Sequence, residues 1–129
     1  LVVDKLSVYT LVVPIPLHKK RQRRRGYNQV AGFGKALAET LGIDYNDRVL
    51  VRKKPTKTLV RMTQSQRWAQ VHDAFQLRKP KTLLDQHVLL VDDVVTTGAT
   101  LSAAVACLAS QEGVRVSVAA IAFAQSPLP

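Results

Sequence analysis

Apolar residues in this chain come in short bursts separated by polar, mostly basic stretches. From Ser7 to Ile15 the chain alternates and then runs apolar through Leu11, Val12 and Val13, which predicts a buried strand ended and stiffened by Pro14 and Pro16. From Tyr27 to Leu41 the period changes to that of a helix, with Val30, Phe33, Leu37, Ala38 and Leu41 on one face and Gly42 placed to stop it. Arg48 to Lys53 and Ala74 to Leu77 read as two short strands. The basic, Pro-containing stretch Lys54 to Thr63 between them reads as a loop, and Gln64 to Val71 is weakly helical. After a turn-rich connector at Lys79 to Asp85, His87 to Asp92 is expected to form a central, fourth strand. Leu101 to Gln111 follows as a helix with Leu101, Ala104, Val105 and Leu108 on one side, stopped by Gly113. Arg115 to Ala124, rich in Val and Ala, is the last expected strand, and the tail Gln125 to Pro129 is expected to be loose. Strands alternating with helices predict an α/β fold: an open, mostly parallel sheet flanked by helices, in a single domain.

The most informative stretch is VLLVDDVVTTGAT, Val88 to Thr100. Four apolar residues are followed by the adjacent carboxylates Asp92 and Asp93, by hydroxyl residues and a glycine, and then by a helix beginning near Thr100. In open α/β sheets, ligands bind outside the carboxyl ends of the strands. A helix N-terminus offers unbonded N–H groups and partial positive charge, which suits a phosphate. Two carboxylates one step earlier can hold sugar hydroxyls or a hydrated Mg²⁺. A phosphorylated sugar therefore fits the segment. A Walker B strand has a similar appearance but needs a G-x-x-x-x-G-K-[ST] partner, which this chain lacks. A merely solvated turn leaves the repulsion of two neighbouring acids unexplained. The GFGKAL stretch at Gly32 to Leu37 lacks the third glycine and the preceding strand of a dinucleotide loop.

Size and charge narrow the picture. The 129 residues suit one core, and 47% hydrophobic residues is ordinary for a globular domain. No apolar run approaches the ~18–20 residues of a membrane helix, so membrane insertion is not expected. Cys107 stands alone within a helical apolar pattern and is expected to be a buried small hydrophobe, which suits a reducing, cytoplasmic setting. His18, His72 and His87 show no metal-ligand spacing. The net charge is +10. Lys19, Lys20, Arg21, Arg23, Arg24 and Arg25 place six cations within seven positions, a block suited to pyrophosphate or nucleic acid and, less well, to an anionic membrane surface. The chain starts at Leu1 without Met and is expected to be a piece of a longer protein.

VLLVDDVVTTGAT resembles the 5-phosphoribosyl-1-diphosphate (PRPP) signature of the type I phosphoribosyltransferases, matching it at every constrained position. The opening Val13-Pro14-Ile15-Pro16 and the element Arg25-Gly26-Tyr27-Asn28-Gln29 resemble the V-P-[VIL]-P and R-G-[FY]-N-Q elements of the ComF (competence protein F) family. A third ComF element lies over Thr56 to Phe75 without gaps: Thr56, Arg67, Val71, Ala74 and Phe75 agree, and Met62 replaces Leu. Leu59 and Gln70 depart from the usual Gln and Asn. The resemblance spans about residues 12 to 124. It implies a further, cysteine-rich zinc segment in the whole protein.

The resemblance implies site residues. Asp92 and Asp93 would hold the ribose 2′- and 3′-hydroxyls, and Val94, Thr96, Thr97, Gly98, Ala99 and Thr100 would complete the PRPP site around its 5′-phosphate. The basic run would contact pyrophosphate through Arg25, assisted by Arg21 or Arg24. Arg25, Asp92 and Asp93 would be the catalytic set. The segment around Arg52 to Arg67 resembles the mobile hood of these enzymes, with Arg61 and Arg67 as candidates to reach the diphosphate. Tyr27 and Trp68 are candidates to stack on a base. Mg²⁺ would arrive with PRPP, bridged by water to Asp92 or Asp93.

Three functions are compatible with these residues. One is a Mg²⁺-dependent phosphoribosyltransferase that releases pyrophosphate as an acceptor such as a nucleobase attacks ribose C1′. Another is an accessory protein of DNA uptake, binding single-stranded DNA or the competence machinery through the basic loop, although aromatics are only 5% of the chain, few for base stacking. The third is a PRPP-sensing regulator without turnover, suggested by Leu59 and Gln70. The acceptor and the oligomeric state are left open by the sequence.

Overall fold

A computed structural model describes residues 8–17, 29–53, 63, 65, 74–95 and 97–124. Strand β1 is Leu11–Pro14, helix α1 Gln29–Leu41, β2 Asp44–Tyr45, β3 Leu50–Arg52 and β4 Phe75–Leu77. A 3-10 turn at Pro80–Leu83 leads to β5, His87–Val95; helix α2, Ala99–Ala109, and β6, Arg115–Phe123, complete the order. β2, β1, β5 and β6 form one sheet in that order, with every pairing parallel. β3 and β4 form a separate antiparallel pair. The expected open parallel sheet flanked by helices is therefore present, with two of the expected strands set apart in their own hairpin. Apart from Thr63 and Ser65, the expectations for Lys54 to Thr63, Gln64 to Val71 and the tail from Gln125 lie outside the described residues.

Two helices cover opposite faces of the sheet. Side chains alternate along a strand, so odd and even positions face different layers. Val12, Leu89 and Val91 pack with Val30 and Ala38 of α1 in one cluster. Leu11, Val13, Val88 and Leu90 pack with Ala103, Ala104 and Leu108 of α2 in the other, which also takes in Val49, Leu50 and Phe75 of the hairpin region. Phe33, Leu37 and Leu41 lie partly buried against the first cluster, and Leu101, Val105 and Cys107 against the second, on the helix faces that the spacing predicts. Cys107 is half-buried rather than fully buried. Each fully buried Val or Leu contributes ~1.5–3 kcal/mol of transfer free energy, so the two layers, not the short strands themselves, hold the sheet together.

Several boundaries differ from the periodicity. β1 is shorter than Ser7 to Ile15, and Pro14 is its last residue rather than its stop. Pro14 is tolerated because Ile15 N–H donates to Val91 O of β5 at 2.8 Å, so residue 14 faces the β2 side, where β2 has already ended. β2 itself carries no apolar run and follows directly on the end of α1. There Ile43 N–H donates to Ala38 O at 3.0 Å and Gly42 N–H to Glu39 O at 3.2 Å, a Schellman motif. α2 starts and ends two residues earlier than expected.

α1 approaches the sheet closely at Gly34, where an added Cβ would lie 2.8 Å from Tyr45 Cε1 and 3.1 Å from a Val91 methyl. At Gly32 an added Cβ would meet nothing within 4 Å. Gly→Ala inside a helix gains about 1 kcal/mol where there is room, and overpacking costs ~1–3 kcal/mol. Gly32→Ala should therefore raise the midpoint of chemical denaturation, and Gly34→Ala should lower it. Equal shifts from the two variants would show that α1 does not sit at this distance.

Candidate functional site

The sheet order creates a crevice. From β1 the chain crosses by α1 to β2 on one side, and from β5 it crosses by α2 to β6 on the other. The direction of winding reverses between β1 and β5, and ligands bind at such a switch point, beyond the carboxyl ends of the strands. Pro14 is paired with Val91, so the exit of β1 and the pair Asp92–Asp93 stand side by side at that edge.

Both acids belong to the strand. The sequence pattern ends the strand at Asp92, but β5 continues to Val95 because β6 runs on beside it, pairing Val94 with Ala122 and Val95 with Phe123. The Asp92 side chain is nearly buried, 9% exposed, and Asp93 is half-buried. Asp92 Oδ1 accepts the Asp93 backbone N–H at 2.8 Å, and Asp93 Oδ1 accepts that of Val94 at 2.7 Å. Burial pushes the Asp92 carboxyl above the usual carboxylate range, and the neighbouring Asp93 carboxyl adds to the rise. The Asp93 N–H and the charge of Arg52 pull the other way. A carboxylate so placed gains from a ligand hydroxyl or a cation that replaces its lost water.

The turn after β5 supplies the second half of the site. Gly98 caps α2 with φ +80, a left-handed conformation that glycine adopts without strain, and it has no side chain to cover the helix end. The first intrahelical bond there runs from Ser102 N–H to Gly98 O at 2.8 Å, and Ala99 N–H donates to Thr97 Oγ1 at 3.3 Å. The first-turn amides of an α-helix have no acceptor of their own, and here they open beside the exposed Thr97, Ala99 and Thr100. Asp92, Asp93 and Val94 thus stand on the last half of β5, with the Asp93 side chain by alternation on the face opposite that of Asp92, and Thr97, Gly98, Ala99 and Thr100 follow in the turn and the start of α2. Val94 is 45% exposed and, by alternation, its side chain shares the face of Asp92. Thr96 lies outside the described residues, as do Arg21, Arg24, Arg25, Arg61, Arg67, Tyr27 and Trp68.

One cation that the sequence does not single out acts on Asp92. Arg52 ends β3 and is half-buried. Its Nε donates to Pro16 O at 2.7 Å, and its guanidinium carbon lies 5.0 Å from the centre of the Phe75 ring. In the sequence it only opens the basic loop. Its place beside Pro16 and Phe75 depends on the β3–β4 pairing, where Arg52 is the partner of Phe75.

The opposite edge of the sheet carries different groups. At the start of β5, His87 Nε2 lies 3.2 Å from Ser117 Oγ, with the Tyr9 ring 4.3 Å away. Burial and then Arg115 hold this imidazole below its usual value. A polar cleft lined by Thr10, Asp44, Asn46, Thr82 and Gln86 opens at the amino ends of the strands, away from the acid pair. Among the described residues no cluster of three or more His, Cys, Asp or Glu could hold a metal ion, and no helix is long and apolar enough to cross a membrane.

Comparison with known proteins agrees with this geometry. The family described as "Phosphoribosyl transferase domain" matches residues 31–128. Competence protein F of Haemophilus influenzae is 35% identical over 99 residues, covering 76% of this chain and 43% of the relative. DNA utilization protein YhgH of Salmonella typhi is 35% identical over 91 residues, covering 70% of this chain and 39% of the relative. The chain therefore spans roughly two fifths of the length of these curated relatives. Among solved structures, adenine phosphoribosyltransferase from Saccharomyces cerevisiae superposes with a TM-score of 0.57 at 17% identity, over 90% of this chain and 56% of that one. Glutamine PRPP amidotransferase from B. subtilis gives 0.57 at 20% identity, over 92% of this chain and 25% of that one. Identities this low speak to the fold alone, while the family match covers most of the chain. The chain belongs to the phosphoribosyl transferase domain family, has the type I phosphoribosyltransferase fold, and falls in the ComF group.

Proposed function

We propose that this domain binds PRPP and transfers its phosphoribosyl group to an acceptor, releasing pyrophosphate. The observation that carries the reading is the juxtaposition on the last half of β5: a nearly buried Asp92 next to the half-buried Asp93, then a left-handed glycine that gives the helix start no side-chain cap, all beside the exit of β1. The amides of the first turn of α2 bind the 5′-phosphate, with Thr97 and Thr100 adding hydroxyls. Asp92 and Asp93 accept hydrogen bonds from the ribose hydroxyls and so orient C1′. Two carboxylates are too few to hold a metal alone but fit Mg²⁺ that arrives on the diphosphate and keeps its waters, and such an ion supplies charge neutralisation for the leaving pyrophosphate. The basic run from Lys19 to Arg25 follows β1 in sequence, where cations for that leaving group belong, with Arg25, Arg24 and Arg21 the residues assigned to it. Arg61 and Arg67 belong to the second basic segment and take the role of closing over the diphosphate.

A second reading has its own support. The names of the relatives speak of competence and DNA utilization, and the net charge of +10 with a six-cation block suits a polyanion. In this reading the basic run grips single-stranded DNA, and sugar-phosphate binding is retained as a signal or a vestige.

Calorimetric titration with Mg-PRPP tests the first reading. Binding saturating below millimolar ligand is expected, and no heat at millimolar ligand would remove it. Pyrophosphate release with a panel of nucleobases then separates turnover from sensing. For the DNA reading, a gel shift at low salt should vanish steeply as salt rises, because cations released from phosphates dominate such binding.

A further inference from the structure

The two edges of the main sheet are built differently. β2 closes one side with two residues, the first of them Asp44, and so short and charged an edge offers little for another strand to join. β6 closes the other side with nine residues, RVSVAAIAF, and β5 is its only strand partner among the described residues. After Arg115 it carries no charge and no proline, the usual devices that keep an open edge from pairing. Arg115 N–H donates to Gln86 O at 3.1 Å, so this residue bonds inward to β5, and by alternation Val116, Val118 and Ala120 turn their backbone groups outward. Val116 packs toward α2 and Ala119 toward α1, which fixes the two faces of the strand. Large apolar side chains stand open on both: Val118 is 37% exposed, Ile121 52% and Phe123 70%.

The strand is complementary to itself. Laid antiparallel against a second copy about a two-fold axis through Ala119, its middle residue, it brings each large side chain opposite a small one on the same face. Val118 meets Ala120, Ile121 meets Ser117, and Val116 meets Ala122. At each end Arg115 of one copy lies opposite Phe123 of the other, so the single charge on the strand is set on its most exposed ring. The backbone agrees with this register. Val118 and Ala120, both turned outward, form the hydrogen-bonded pairs, and Ala119, turned inward, meets its twin as a non-hydrogen-bonded pair with Cα atoms about 4.5 Å apart. We propose that β6 is an interface between two copies of this chain, joined antiparallel about Ala119 into one continuous sheet. The inference does not depend on the phosphoribosyl reading. The copies repel through their net charge of +10, so salt that screens this repulsion should tighten the pair.

Sedimentation equilibrium of the chain from about 10 μM to 1 mM, at low and at moderate salt, tests the pairing. One strand edge makes a small interface, so passage from one chain mass to two is expected on the order of 100 μM, and at lower concentration as salt rises. Phe123→Lys sets a like charge opposite Arg115 of the other copy and should weaken association about tenfold or more, whereas Phe123→Glu should associate more tightly than the lysine variant. The register is read by oxidation in a Cys107→Ala background. Ala119→Cys should form a disulfide-linked pair, and Ala122→Cys should not, because its twins stand about 20 Å apart in this register and a disulfide spans less than about 7 Å between Cα atoms. A single chain mass at every concentration would overturn the proposal and leave β6 to a different partner. Association that weakens as salt rises would overturn it in favour of a bound polyanion joining the chains. Equal cross-linking by the two cysteine variants, or equal loss with lysine and glutamate at residue 123, would overturn the register and with it the interface. Should Phe123→Lys fail to fold, the cysteine pair decides.

Discussion

Replacing Asp92 and Asp93 together by Asn is expected to lower affinity for Mg-PRPP by about a hundredfold or more, because charge-assisted hydrogen bonds contribute ~1.5–3 kcal/mol each and two are lost. The same change should not weaken the fold. Asp92 is nearly buried, and burial raises its carboxyl above the reference value of 3.8. A raised carboxyl binds its proton more tightly in the folded state than in the unfolded one. Its contribution to stability is therefore fully present below the unfolded value and is lost as pH rises through the folded value. At neutral pH the charged Asp92 thus costs stability, and Asp92→Asn should hold or raise the melting temperature there. The gain should shrink as pH falls toward the ordinary carboxylate value. Calorimetry for the ligand and melts between acid and neutral pH measure both halves. A variant that still binds PRPP would remove Asp92 and Asp93 from the site. A variant that melts much earlier at neutral pH would make the acids structural.

The largest effect on stability is expected two residues upstream. Leu90 is fully buried in the middle of the central strand, between α2 and its neighbours in the sheet. Leu90→Ala removes apolar contacts and leaves a cavity that the packed layers on either side cannot close, a change that costs ~2–5 kcal/mol. Val94, on the same strand and by alternation on the same face, is 45% exposed, and Val94→Ala should stay within about 0.5 kcal/mol. Urea unfolding of the two variants tests the contrast. Similar losses would mean that the core extends past Asp92 to the end of the strand, which would contradict an open crevice there.

What could be read from the sequence follows from how local each signal is. The run Val88 to Val91 marks a buried strand because full burial on both faces leaves no alternation to confuse it. The two helix faces were legible because their spacing is set within each helix. β2 was not, since two residues beginning with Asp carry no periodic signal and are held by backbone bonds to β1. The continuation of β5 to Val95 was also hidden, because it depends on how far β6 runs alongside. In the site, Asp92, Asp93 and the Thr97–Thr100 turn are contiguous, so their grouping is written in the chain itself. Arg52 is seated beside Pro16 and Phe75 only through the pairing of β3 with β4, which brings together residues on either side of a long intervening segment. Its numbering among other cations gave no reason to single it out.

β5 divides its work along its length. Its first half, through Val91, answers to the two helices, and its last half answers to whatever sits above the sheet. Substitutions on the crest can therefore accumulate without disturbing the foundation, so a descendant could shed one chemistry or acquire another while inheriting the same scaffold. A strand partitioned in this way lets one architecture carry different chemistries, with the difference written in a handful of positions at its rim.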